Sequence, residues 1–406
     1  MKMLNLLLPI MFVSVPTMFY DLTTLFRSGL IIVLSLIILI VKPIDFKKNI
    51  ILLGIFIIII IAYIISWLIN QQSYTIFLFG AYGRNLGVLA LIGIFLITLQ
   101  SADYYSKFSD QLVKSFYWVL VLATIYGYLQ EINADPLNWE IGAGKGSTLG
   151  NPNFSSALFG MLSIIPLSYF YTTKTLKRYA HLTLYALVFG LVIVVNSSQG
   201  LIIFSINLFL FFISKYLFKA KKLNNKKFFY LVIPFIAALT YFIANLLKFD
   251  YIKNKLNSSF QVAPRLEHWK LGYNIWKDHP IFGVGLDNMQ KYSGEYRSFE
   301  ISKWGLYTAP DRSHNTLIDA FVFGGVIVGL ATLIFFLMVF LVIVRLHKNT
   351  DNQNVNSSVN VLSLIWVGYF IQAFISPDHI FLTLCGMMAA GALIGIDNQK
   401  RKYTNG

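Results

Sequence analysis

Residues 50–69 read IILLGIFIIIIIAYIISWLI, twenty positions without a single Asp, Glu, Lys or Arg. As a helix rising 1.5 Å per residue, such a segment crosses about 30 Å of hydrocarbon. Charge is scarce along the whole chain: of 406 residues 13 % are Asp, Glu, Lys or Arg and 56 % are hydrophobic, where a soluble domain carries about a quarter charged residues. Outward from 50–69, apolar windows bounded by charge or turn residues predict helices near 4–20, 26–41, 85–99, 116–130, 154–171, 180–196, 200–214, 228–247, 315–344, 358–376 and 379–396. The expectation is an all-α polytopic membrane protein of about twelve spans in three sections. Residues 1–247 hold spans one to nine, 248–313 form one large loop containing short helices, and 314–406 hold the last three spans and a tail.

The basic residues give the orientation. With the N-terminus inside, the inner segments hold Lys2, Lys42, Lys47, Lys48, Lys107, Lys114, Lys174, Lys177, Arg178, six lysines from Lys215 to Lys227, Arg345, Lys348, Lys400, Arg401 and Lys402, while the short outer segments hold only Arg27, Arg84 and Lys145. Short loops rich in Lys and Arg stay in the cytoplasm, so both termini are expected there. The net charge of +15 then reads as topology and not as nucleic-acid binding. The lysines from Lys215 to Lys227 read as an orientation signal, with anionic lipid heads as the other reading. Met1 to Tyr20 begins as a signal peptide does but lacks a small-residue cleavage site, so an uncleaved first span is expected. The single cysteine, Cys385, excludes an intramolecular disulfide and a Cys-based metal site.

Inner segments reach about 16 residues at most, too short for a nucleotide-binding domain, and no P-loop is present. Unusual polar sequence gathers on the outer face instead: Gly80 to Asn85, Glu131 to Asn153, Asn196 to Gly200, the long loop and Ser376 to His379. Long connections of this kind tend to be functional. Within the long loop, Pro264 to His279 predicts an amphipathic helix with Leu266, Trp269, Tyr273 and Trp276 on one face, either lying in the membrane interface or packed on the spans beneath. The glycines of Ile281-Phe282-Gly283-Val284-Gly285 suit a turn better than a phosphate loop. His314, just before a span, is a candidate general base, because imidazole titrates near neutral pH. Arg265 and Arg312 flank the same segment and Arg84 lies at the outer end of another span; if they converge they form an anion site, since guanidinium groups suit bidentate phosphate binding.

In order along the chain, Phe79-Gly80-Ala81-Tyr82-Gly83-Arg84-Asn85, Gly146-Ser147-Thr148-Leu149-Gly150-Asn151-Pro152-Asn153-Phe154, Arg265-Leu266-Glu267-His268-Trp269, Pro280 to Gly285 and Ser313-His314-Asn315 with Gly324-Gly325 beyond resemble the O-antigen ligase and polymerase superfamily. The resemblance implies a metal-independent, inverting glycosyltransferase of the inner membrane, similar in architecture to the GT-C class and without a cofactor. Its implied donor is a glycan on undecaprenyl pyrophosphate, and its acceptor a hydroxyl of a glycan, lipid or protein on the outer face. It assigns pyrophosphate binding to Arg265 and the base to His314. Many members carry a Ser-Arg-Gly-like turn where this chain has Ser198-Gln199-Gly200, so phosphate binding leans on Arg84 and Arg312, with Gln199 as an uncharged donor, or the chain belongs to a subgroup with another donor or acceptor.

Asn151 and Asn153 are candidate hydrogen-bonding groups for sugar or phosphate, though Asn-Pro-Asn is also a good turn and cap. Asp319, one turn inside the span after His314, reads as an interhelical hydrogen-bonding group or as an orienter of His314, and Asp378 and His379 read as structural. A carrier or flippase of lipid-linked sugars or anions is the competing reading, and a non-catalytic scaffold a third. A carrier would place charge at mid-membrane, whereas the charges here sit at the outer ends.

Overall fold

Long apolar runs without Pro or Gly pairs have one low-energy arrangement in lipid, the helix, which satisfies every backbone group internally. The computed structural model describes residues 2–14, 22–137, 146–195, 197–219, 262–297, 310–348 and 357–404, and these contain helices and no strand. The predicted span 228–247, the lysines from 220 to 227, Lys145, Asn196 and parts of the long loop lie outside the described residues. The helices run α1 (Lys2–Val13), α2 (Leu22–Val41), α3 (Ile50–Ile69), α4 (Tyr74–Phe79), α5 (Val88–Glu131), α6 (Pro152–Leu162), α7 (Ile164–Thr172), α8 (Lys177–Val194), α9 (Ser198–Lys219), α10 (Val262–Asp278), α11 (Met289–Tyr296), α12 (Thr316–Lys348), α13 (Ser357–Ile375) and α14 (Ile380–Thr404). Short 3-10 turns occupy Phe46–Asn49 and Ser147–Leu149.

Among the described residues, eight helical segments are long and apolar enough to cross a membrane, and α1 and α9 supply shorter apolar stretches. The windows 85–99 and 116–130 fall on either side of Phe108, whose non-helical backbone (φ −126°, ψ 38°) divides the 44-residue run α5 into two helices. The window 154–171 is divided at Ser163 into α6 and α7.

The centre of the bundle is α14, whose apolar window is buried entirely, in contrast to 17 % for the peripheral α8. It lies against α5 so closely that a Cβ on Gly391 or Gly395 would collide with the carbonyl oxygens of Thr98 and Ala102. Small residues one turn apart let two helices approach in this way, and dispersion then replaces the hydrophobic drive that lipid does not supply. Replacing Gly395 by Leu is expected to force the helices apart at a cost of about 1–3 kcal/mol, read as a lowered unfolding midpoint in detergent. Gly29→Ala, where nothing lies within 4 Å, is the matched substitution that leaves the midpoint level or higher.

Candidate active site on the long loop

Two glycines break α12. Gly325 adopts φ 65°, ψ −161°, a backbone conformation that a side chain disfavours, and the break frees the carbonyls of Val322 and Phe323. The segment after Pro280 fills it: Val284 N donates to Val322 O (2.8 Å), Gly285 N to Phe323 O (3.0 Å) and Val326 N to Pro280 O (2.8 Å). From α3, Ser66 Oγ donates to Phe323 O (3.0 Å), and beyond its end Asn70 Nδ2 donates to Gly283 O (3.0 Å) and Gln72 Nε2 to Leu286 O (2.6 Å). The Val284 and Gly285 amides are thus committed to the broken helix and the Gly283 amide to His279 O (3.0 Å), as a turn requires and a phosphate loop does not.

Fixed in this way, the segment presents Asp287, whose carboxylate accepts from Ala81 N (2.7 Å) and Arg312 Nη2 (2.6 Å). It ties the loop after α4 to the loop before α12. The pair is buried, with side chains 1 % and 3 % exposed, and Arg312 also lies over the Phe323 ring at 5.3 Å. Although burial opposes the Arg312 charge, Asp287 foremost among the surrounding carboxylates more than offsets it and raises the pKa further. Next to it, Arg84 grips Asp311 through Nε (2.6 Å) and Nη2 (3.2 Å). Burial alone would raise the Asp311 carboxyl, but the Arg84 charge and then Arg312 and His314 hold it at about 2.

The imidazole of His314 sits above these pairs on a residue with φ 59°, a strained value for a non-glycine residue that recurs at functional sites. Asp319 holds the turn, its Oδ1 accepting from Ser313 N (2.7 Å) and Ser313 Oγ (2.6 Å). Asn315 caps α12 through Leu317 N and Ile318 N and donates to Phe374 O (3.1 Å), while Thr316 Oγ1 donates to Asp378 Oδ1 (2.9 Å). Asp319 thereby orders, through Ser313, the turn that precedes α12.

Across the start of α12 lies α10. Its buried stripe is His268, Leu271 and Ile275, with Gly272 close to Ser313 and Ile318. Leu266 and Tyr273 are exposed and Trp276 packs on Phe321 at 5.0 Å, so the packed face lies beside the apolar row read from the sequence. The His268 ring stacks on that of His314, centroids 4.6 Å apart and 29° between planes, and His268 Nδ1 is buried without a partner. One turn earlier stands Arg265, half-buried and with no hydrogen bond or ion pair among the described residues. Burial, then the charges of His268, Arg84 and Arg265, push the His314 imidazole down to about 3, so near neutrality it is unprotonated with a lone pair to offer.

Arg84, Arg265 and His314 thus come together, joined by His268 and Asp311, which the sequence reading left without roles. His268 lies three positions after Arg265, one helical turn away, and that spacing was the available signal. Arg312 turns the other way, to Asp287. Asn151, Asn153 and Gln199 form a second cluster where α6 and α9 begin: Asn151 Oδ1 caps α6 by accepting from Asn153 N (2.8 Å), and Asn153 Oδ1 accepts from Ser197 Oγ (2.7 Å). Gln199 is 1 % exposed, and neither of its amide atoms has a hydrogen-bond partner. His379 caps α14, its Nδ1 accepting from Phe381 N (3.3 Å), and packs on Phe154 at 4.7 Å. Among the described residues no group of His, Cys, Asp and Glu has the arrangement of a metal site.

Asp287→Asn keeps the shape of that carboxylate while stranding the Arg312 charge, a loss of about 3–5 kcal/mol for a buried pair broken on one side. The expected result is a large drop in the unfolding midpoint.

Residues 184–334, from within α8 to the middle of α12, match the family model for O-Antigen ligase. The match takes in Gln199, Arg265, His268, Arg312 and His314 and stops short of Arg84, Asn151 and Asn153. No curated protein matches the chain.

Proposed function

We propose, from the match of residues 184–334 to the O-antigen ligase family model, that the chain is a membrane glycan ligase or polymerase that transfers a glycan from undecaprenyl pyrophosphate to an acceptor hydroxyl at the outer face of the bacterial inner membrane. The chain crosses that membrane about twelve times in a GT-C-like arrangement, with both termini in the cytoplasm. The acceptor is a hydroxyl of a glycan, lipid or protein. The observation that carries the reading is the surplus cation beside a neutral imidazole: Arg84 is matched by Asp311, Arg265 has no carboxylate among the described residues, and both face the unprotonated His314.

The acceptor oxygen attacks the anomeric carbon as the bond from that carbon to the pyrophosphate oxygen breaks, and the leaving group departs with the electron pair. One displacement inverts the anomeric configuration. Arg265 binds the pyrophosphate and stabilises the charge developing on it, and His314 Nδ1 or Nε2 takes the proton of the hydroxyl. At about 4 Å and an effective dielectric near 20, one arginine interacts with one phosphate charge by roughly 4 kcal/mol before desolvation. Arg84 adds to this field although shared with Asp311, and Arg312 contributes from its buried pair. Gln199, Asn151 and Asn153 offer uncharged hydrogen bonds to pyrophosphate or glycan, and the two unpartnered amide atoms of Gln199 support that role. Neither a metal nor a cofactor enters this scheme.

The test is glycan transfer in membranes of cells deleted for the protein and complemented with wild type or variants at matched insertion. Arg265→Ala is expected to lose roughly 10²–10³ in kcat and His314→Ala roughly 10²–10⁴. Full activity in both would return the carrier reading. Product resolved by size separates the two transferases: single repeat units left on the acceptor mean a polymerase was lost, and polymer held on the lipid carrier means a ligase was lost. A pH profile supplies an independent check. Because the imidazole is depressed to about 3 in the free protein, kcat/KM should stay level from pH 8 to about 5, and an acid limb near 6.5, the unperturbed imidazole value, would contradict the assignment. A bound pyrophosphate offsets Arg84 and Arg265, so the acid limb of kcat should lie above that of kcat/KM.

A further inference from the structure

The end of the bundle far from His314 contains a cavity of about 500 Å³, within the range of roughly 300–1,000 Å³ typical of small-ligand sites, between the end of α2, the 3-10 turn Phe46–Asn49, the bend of α5 and the last turns of α14. The whole length of α3, about 30 Å at 1.5 Å per residue, separates it from the broken helix and the candidate active site. Lys42, Lys48 and Lys107 line it together with Asp45 and Asp103, which leaves one net positive charge. Asp103 accepts from Asp45 N (2.8 Å) and Asn49 Nδ2 (3.1 Å), and Asp45 pairs with Lys48 at 2.7 Å. Lys42 and Lys107 have no carboxylate partner among the described residues, and the ammonium of Lys42 stands 5.4 Å above the Tyr104 ring. The walls are fixed: Asn398 Nδ2 donates to Lys48 O (3.1 Å) and Asn49 Oδ1 (3.2 Å), and Gln399 Nε2 donates to Ser106 Oγ (3.0 Å).

Beside this polar chamber runs an apolar cleft lined by Leu4, Ile38, Val41 and Ile44, and the two share Lys42, Pro43, Asp103 and Tyr104. The cleft, about 20 Å³, does not hold an acyl chain, but a chamber with one net positive charge beside apolar side chains at the ends of two membrane helices has the polarity of a lipid-headgroup site. We propose that it binds one anionic glycerophospholipid, with the phosphodiester between Lys42 and Lys107 and the acyl chains in the surrounding bilayer. Basic pockets between helices on the cytoplasmic side take such headgroups. The inward position follows from the distribution of basic residues and does not depend on the glycan-transfer reading, so the two stand or fall separately.

The delipidated full-length protein, reconstituted into phosphatidylcholine vesicles with or without phosphatidylglycerol, tests this by its unfolding midpoint and by native mass spectrometry of the retained lipid. Phosphatidylglycerol is expected to raise the wild-type midpoint by roughly 2–4 °C and to remain bound one per chain. The double variant Lys42→Gln/Lys107→Gln should lose both effects while keeping the phosphatidylcholine midpoint, and the control Lys174→Gln/Lys177→Gln should keep them. The proposal is overturned by an absent shift, by an equal shift in the first double variant, or by millimolar inorganic phosphate reproducing the shift in pure phosphatidylcholine, which would make the site one for a free anion.

Discussion

A helix broken about 13 Å from its N-terminal end, as α12 is after nine residues at 1.5 Å each, frees carbonyls that inside a membrane bundle only protein can satisfy. The requirement organises the part of the molecule around the candidate site. Pro280 to Gly285 must lie along Val322 to Val326 because that is where its amides and the freed carbonyls meet. Once the segment is there, the chain before it is α10, laid over Ser313, and the chain after it is Asp287, set between Ala81 and Arg312. The histidine and the arginines come together as a result of a backbone hydrogen-bonding problem solved inside a membrane.

Three arginines at one level do three different things. Arg312 and Asp287 are buried together, and such pairs contribute little net stability after desolvation. Their use here is geometric, joining loops far apart in sequence. Arg84 and Asp311 are partly open, with side chains 22 % and 31 % exposed, so solvent weakens their attraction and leaves the guanidinium field available nearby. Arg265 is unmatched among the described residues. The same residue type is thus a brace, a shared charge and a free charge according to burial and partner.

How much of this could be read from the letters alone depends on range. An uninterrupted run such as 50–69 determines its own helix, and the glycine pair at 324–325 with a proline at 280 is legible as disturbed backbone. The windows 85–99 and 116–130 read as two helices, and the backbone does leave helical geometry between them at Phe108, although no Gly or Pro marks the spot. The packed face of α10 is the stripe of His268, Leu271 and Ile275 beside the row of larger apolar side chains, because the His268 ring stacks on that of His314. Partners were the least legible: Arg84 meets Asp311 across 227 residues, and no local pattern announces a contact of that kind. The cluster of His314, Arg84 and Arg265 was readable as residue types on one face, but the pairing of Arg84 and the turning away of Arg312 were not.

The position of α14 bears on how such a molecule is made. Helices enter the bilayer in order, and α5 is inserted long before the helix that covers its small-residue groove. Until then the Thr98 and Ala102 carbonyls face lipid or a provisional neighbour, and the bundle is a ring waiting for its axis. Assembly therefore finishes from the middle, late, in one docking event. A chain stalled or cut before residue 380 would hold most of the candidate site yet have a hollow interior, the state that membrane quality control is suited to recognise and remove.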